Sequence, residues 1–573
     1  MNHRFSLLCC LLLGTCIAAN AQEWPQWGQN PQHTGVSIAV GQQVRHILAD
    51  VVYDPFVEKE KVEYGGDLDV HYQAPITEGD DVYMEFKTGQ FTDLPHWNTQ
   101  IWNERRLRWE DGRFTTAWSF ASDWKPVPFS DSGHGPGWEP VFHAALSGRY
   151  IYVPGFGGSI YKLRKTGGQV VAHIQPFGSP VDANTFTVGP LTADGSGNIY
   201  YNVIKLASSD TPWDDDVVNS WLVKVGANGH VLKASYASLT PGAPTGDQCL
   251  GIFDPADFPW PPSPDAVPPN VPCGAQRPSP NAAPAVAPDG TIYTVSVAHL
   301  AARTAYLLAV NPDLTPRWQA SLRDRLHDGC NVLLPPNGVP GGCRAGAHTG
   351  VDPAQNRPGA GRILDDATSS PVVAPDGSIF FGADSRFNYG QGHLMKFSSS
   401  GVFLAAYPFG WDDTPALFAH GGSYSIITKD NQYGDRGSYC NDDTFCPPDR
   451  TANNPSYPEG YFITWLDSNL VPRWRWQNTN PLSCTRDTLG HVTCVSDHPH
   501  GFEWCVNAPA IDRKGNVYAN SEDGGVYVIK PNGKLRDSLF LQSALGAAYT
   551  PLSIKGDGLI LTQNDGHLFV SGN

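Results

Sequence analysis

Ser370-Pro371-Val372-Val373-Ala374-Pro375-Asp376-Gly377-Ser378-Ile379-Phe380-Phe381 reads as a short apolar strand, a tight turn and a second apolar strand. An Asp-Gly pair between two apolar runs makes a hairpin, because such turns need residues that tolerate positive φ. Proline is accommodated at the first position of the opening strand, before a ladder donor is needed. The pattern recurs in Ala283-Pro284-Ala285-Val286-Ala287-Pro288-Asp289-Gly290-Thr291-Ile292-Tyr293. Its opening, a small or acidic residue, a proline and an apolar residue, occurs eight times, at Pro75, Pro140, Pro190, Pro284, Pro371, Pro415, Pro509 and Pro551.

A second hairpin follows most copies, as in Leu394-Met395-Lys396-Phe397, the turn at Ser400-Gly401, then Val402-Phe403-Leu404. The unit therefore has four strands. The basic period is about forty to fifty residues, with the longer gaps being that unit plus an insertion. A four-stranded antiparallel repeat of this length is a propeller blade, and blades cannot bury their faces singly. The sequence predicts an all-β chain, an eight-bladed β-propeller over residues 22–573. The eighth copy leaves room for three strands before Asn573, and Val44-Arg45-His46-Ile47-Leu48-Ala49-Asp50-Val51-Val52 reads as the strand that completes that blade and latches the ring.

Residues 1–21 read as a secretory signal: Arg4 in a basic start, an apolar run from Phe5 to Leu13, and a small-x-small site at Ala19-Asn20-Ala21. No other segment approaches the roughly twenty apolar residues needed to span a bilayer, so no transmembrane segment is expected. The product is expected to be exported, periplasmic or extracellular. Thr15 before Cys16 fits the lipoprotein pattern poorly, which disfavours a lipid anchor. The formal net charge of −17 becomes one unit more negative when Arg4 leaves with the signal, and disfavours nucleic acid as a partner.

Outside the signal, the cysteines are Cys249, Cys273, Cys330, Cys343, Cys440, Cys446, Cys484, Cys494 and Cys505. In an exported chain these read as disulfides. Pairing sequential neighbours gives Cys249 to Cys273, Cys330 to Cys343, Cys440 to Cys446 and Cys484 to Cys494, with Cys505 left single; other connectivities remain open on sequence alone. No C-x-x-C pair supports a zinc ribbon or covalent haem.

Blade topology assigns each connection to a face. Joins within the first and last hairpins of a blade lie on one face and are tight, as at Asp289-Gly290, Asp376-Gly377 and Asn532-Gly533. Links between middle strands and between blades lie on the other. That second set carries the long insertions, at about 86–103, 122–138, 203–220, 241–280, 322–366, 432–459 and 479–504, together with all of these cysteines except Cys505, which sits just past one of them. Stapled loops of this length are functional more often than disordered. A binding site is expected under this cap, at the channel mouth.

The segment Trp24-Pro25-Gln26-Trp27-Gly28-Gln29-Asn30-Pro31-Gln32-His33-Thr34-Gly35 resembles the opening strand of PQQ-like propellers, the superfamily of quinoprotein alcohol dehydrogenases and of the outer-membrane assembly lipoprotein BamB. The Pro-apolar-x-x-x-Asp-Gly-x-Ile-Tyr hairpins and the later Leu-x-Lys-x-x-x-x-Gly strands are similar to the same repeat. The resemblance covers essentially the whole mature chain and implies the fold more than an activity. Catalytic members bind pyrroloquinoline quinone (PQQ) with Ca²⁺ in the channel. Their adjacent cysteine pair is missing here, Cys9-Cys10 lying inside the signal. Of their Gly-x-x-x-Trp docking pattern only a Trp at the corresponding outer strand is present, in three repeats, at Trp118, Trp318 and Trp474, the others carrying Ala, Ser or Leu. Both absences count against an intact quinone site.

Phe409-Gly410-Trp411-Asp412-Asp413-Thr414-Pro415 resembles the Trp-Asp segment that carries the catalytic Asp of quinoprotein dehydrogenases, so Trp411, Asp412 and Asp413 are the candidate catalytic residues. In that role an Asp would take the alcohol proton. The bland alternative is a turn acid beside a packed Trp. Trp213-Asp214-Asp215-Asp216 matches that position less well. His498 and His500, alternating beside Asp497, are the closest metal-spaced histidines; surface polarity explains them equally. His134 and Trp138 read as loop structure. Two functions follow. One is a non-catalytic binding or scaffold propeller of the bacterial envelope, presenting its capped face to a protein, glycan or small molecule. The other is a secreted PQQ- and Ca-dependent dehydrogenase of alcohols or sugars.

Overall fold

The computed structural model describes residues 23–573 except 64–72, 94–95, 129–138, 209–214, 254–262, 264, 328–350, 353–354, 386, 389, 434–458, 505–507 and 547–551. The signal, Cys330, Cys343, Cys440, Cys446, Cys505, His134, Trp138, Trp213 and Asp214 lie outside the described residues.

Eight antiparallel sheets follow one another along the chain, at residues 76–121, 145–174, 185–235, 285–321, 372–407, 416–478, 510–540 and 553–572, numbered blades 1 to 8. Each is a meander of four strands; in blade 4 the short strand Gln276–Arg277 adds a further pairing. The turn chemistry is as expected: Gly290 and Gly377 have φ of 84° and 80°, and the Asp289 and Asp376 carboxylates accept the amides of Thr291 and Ser378. Blade 8 takes its outer strand from the N-terminal side, His46–Val52 pairing antiparallel with His567–Gly572. The inferred latch therefore exists, because the last three strands leave one edge of that sheet unpaired.

The core lies between blades. Alternate residues of the second and third strands, such as Ile379, Phe381, Met395 and Phe397, face those of the preceding blade, including Val295, Leu307 and Ala309. Each surviving docking tryptophan bonds to the following blade. The indole N–H groups of Trp118, Trp318 and Trp474 donate to the carbonyls of Lys165, Ser399 and Pro531 at 2.7, 2.9 and 2.8 Å. Each ring lies flat on a glycine of that blade, Gly168, Gly401 or Gly533, where a Cβ would fall within 2.7 to 2.9 Å of the indole.

Two differences from the sequence reading matter. The middle strands reach further than expected, Asp81–Gly89 with Gln100–Glu110 and Ile199–Leu206 with Val217–Val225, because polar side chains at their cap ends are buried there. The segment that resembles an opening strand joins no sheet. Residues 23–39 instead run round the plain-face end of the channel, touching the inner strands of successive blades, before 40–45 pass outward beneath blade 8.

Candidate functional site

The Trp411 segment links the outer strand of blade 5 to the inner strand of blade 6. It is pressed against blade 5: a Cβ on Gly410 would overlap the His393 backbone, and one on Gly382 would overlap the Gly410 carbonyl. Both acids turn inward and are fully buried. Asp412, in the left-handed region at φ 52°, accepts the amide of Thr368 at 2.8 Å and also its hydroxyl. Asp413 accepts the Thr428 hydroxyl at 2.7 Å, and its own amide donates to Ser369 Oγ at 2.9 Å. The two carboxylates thus tie the blade 4 to blade 5 linker and the second strand of blade 6 together.

Sequence reasoning missed the group at the centre. Lys429, on strand Ser423–Gln432 and 0% exposed, points its ammonium at Asp412, 4.0 Å from Oδ2. The rings of Phe409 and Trp411 lie 5.7 and 5.8 Å from it. Burial, then the hydrogen bond from Thr428 and the charge of Lys429 acting the other way, leave the Asp413 carboxyl pushed up to about 8. Asp366 is raised to about 7, by burial first and then by Asp412 and Asp365. The residue after Lys429, Asp430, accepts Tyr407 Oη at 2.7 Å and pairs with Arg475.

A parallel cluster occupies the cap end of the closure seam. Lys87 of blade 1, also 0% exposed, pairs with Asp54, Glu139 and, at 3.2 Å, Glu60. Its ammonium lies 5.5 Å from the Trp97 ring. Glu85 faces the same cluster and is raised well above its ordinary value by burial and then by Glu139. On the rim of blades 6 and 7, Tyr433 donates to Glu503 and Tyr461 to Glu459, each at 2.5 Å. Burial and the nearby Glu522 push Glu503 up to about 8.

The candidate histidines do not converge. His498 stacks on Phe502 at 3.7 Å and bonds Asp497 at 2.7 Å, while His500 faces Glu459 at 3.8 Å. Among the described residues no group of three or more His, Cys, Asp or Glu could hold a metal ion. Cys249 with Cys273 and Cys484 with Cys494 form disulfides, each stapling a two-stranded hairpin in a blade-to-blade connection. Opposite them, a half-open recess of about 500 Å³ lies on the face the sequence left plain, lined by Gln26, Gln29, Gln32, Asp194, Leu146 and Val286.

The Asp412 cluster does not suit Ca²⁺ with PQQ. Calcium takes six to eight oxygens at about 2.3 to 2.6 Å, whereas these carboxylates accept protein donors around an ammonium. A dication about 4 Å from that ammonium would meet roughly 8 kcal/mol of repulsion at an effective dielectric of about 20.

No family model and no curated protein matches the chain. Among solved structures it is similar to a quinohemoprotein alcohol dehydrogenase from Comamonas testosteroni, with 10% identity, a TM-score of 0.48, and coverage of 96% of this chain and 81% of that one. It is also similar to BamB from Moraxella catarrhalis, with 10% identity, a TM-score of 0.39, and coverage of 92% and 99%. Likeness at this level speaks of fold and carries no activity. What the strand pairing gives is the eight-bladed propeller architecture that the repeats predicted.

Proposed function

We propose that this chain is an exported, non-catalytic propeller that binds a protein, glycan or small molecule on its capped face in the bacterial envelope. The observation that carries this reading is Lys429. Its buried ammonium beside Asp412 and Asp413 supplies the positive charge that a quinone site would take from a metal. The two disulfides support export, since such bonds persist in oxidising compartments. Among the described residues no helix is long and apolar enough to cross a membrane. The test is reconstitution: purified protein is mixed with PQQ and Ca²⁺ and assayed for dye-linked oxidation of alcohols and sugars. No turnover above a protein-free control is expected, and turnover that is lost in Asp413→Asn would overturn the reading.

One observation favours the dehydrogenase alternative. Asp413, pushed up to about 8, has a proton affinity matched to general-base work near neutral pH. Against that, its carboxylate accepts Thr428 and is fully buried, so a substrate proton has no path to it without rearrangement.

A further inference from the structure

We propose that residues 23–39 are a stopper and belt, the element that locks the eight assembled blades and closes the channel at its plain-face end. The segment bonds to the inner strand of every blade, in order. Trp24 exchanges two backbone bonds with Thr77 of blade 1, at 3.2 and 2.9 Å. The Leu146 amide of blade 2 donates to the Pro25 carbonyl at 2.8 Å, and the Ala193 amide of blade 3 to Gln26 Oε1 at 2.6 Å. Val286, Val373 and Leu417 of blades 4, 5 and 6 donate to Pro31, Gln32 and Thr34 at 2.7, 3.0 and 2.8 Å. Ile511 of blade 7 donates to Gly35 at 2.9 Å and accepts from Ser37 at 2.8 Å, and the Ser37 hydroxyl reaches Ile554 of blade 8 at 3.4 Å.

Inside this belt, Trp27 is buried against Ala74, Ala283 and Ala508. Those alanines open blades 1, 4 and 7, which stand around the ring, so a side chain touching all three lies across the axis. They are the small residues of the repeated Ala-Pro opening, and a branched or aromatic residue there would displace the indole. His33 holds the stopper from the other side. Its ring meets Trp27 edge-on at 5.1 Å, and its Nδ1 bonds the Pro371 carbonyl at 2.9 Å. Gly35, at φ 67°, passes where a Cβ would come within 2.9 Å of the Pro509 carbonyl. The inner-strand amides of seven blades depend on this one segment for their partner, and it can find all of them only once eight blades are in place.

The experiment uses the full chain. Native-state hydrogen exchange is followed at Leu146, Val286, Val373, Leu417 and Ile511 in the wild type and in Trp27→Ala. In a second arm, Ala283→Cys is challenged with a small charged thiol reagent and read by peptide mass, with and without Trp27→Ala. The belt predicts that the five amides, spread over five blades, lose protection together by tenfold or more in Trp27→Ala. It also predicts that the thiol is blocked in the Ala283→Cys protein and labelled when Trp27 is absent. Amides that exchange at unchanged or unrelated rates in Trp27→Ala, or a thiol at 283 that is labelled with Trp27 in place, would overturn the proposal. Should Trp27→Ala fail to fold, the Ala283→Cys arm with Trp27 intact still decides between a closed and an open channel.

Discussion

Lys429 and its carboxylates form a buried ionic group in which each member depends on the others. Removing one partner of such a group leaves an uncompensated charge and costs about 3 to 5 kcal/mol. Lys429→Met should therefore lower the unfolding free energy by about that much, read as a shift of the urea midpoint at constant slope; a change below about 1 kcal/mol would show that the ammonium is not what balances Asp412. The residues of this cluster were partly legible. Asp412 and Asp413 stood out beside Trp411, but Thr428-Lys429-Asp430-Asn431-Gln432 reads as the polar, solvent-facing end of a strand. It is buried because linkers from distant parts of the chain, at Thr368 and Trp411, fold over it, and no local pattern records that.

Blades are held to one another by a repeated contact whose two halves lie about fifty to eighty residues apart, the indole of one blade on a glycine of the next. Gly401→Ala places a methyl against Trp318 and should cost about 1 to 3 kcal/mol more than Gly112→Ala, which has the same sign of φ and open space around it. Equal costs, measured by denaturant unfolding, would mean the docking contact is loose. The closing strand is the second inter-element device. Deleting residues 22–55 removes His46–Val52 and exposes the edge of His567–Gly572, so the truncated chain should form soluble oligomers or aggregate in light scattering; a monomer of native stability would contradict this. Both devices could be read in advance, since Trp118, Trp318 and Trp474 recur in register and the eighth repeat is one strand short. The belt could not, because its bonds go to eight different strands and leave no period in its own sequence.

The ring as a whole carries buried acids whose proton affinities are raised. Asp413, Glu104 and Glu503 are pushed up to about 8 and Asp366 to about 7, chiefly by burial. Above their ordinary values the unfolded chain has already released these protons while the folded chain retains them, so stability falls as pH rises through the folded values. Buried His33 and His143 and half-buried His299, lowered to about 4 chiefly by desolvation, act in the opposite direction, but only below their ordinary value of 6.5. Between about pH 6.5 and 8.5 the acids act alone, and the melting temperature should decline; a flat or rising profile would show that these carboxyls are hydrated in the folded protein. The architecture of the ring follows from its repeats, whereas its chemistry depends on which charges meet at the cap end of the channel. The most direct test of that chemistry is the calcium and quinone content of the full-length protein purified from a PQQ-producing host in calcium-containing buffer. A propeller whose carboxylates are balanced by Lys429 should carry neither in stoichiometric amount, and one Ca²⁺ with one PQQ per chain would contradict the account.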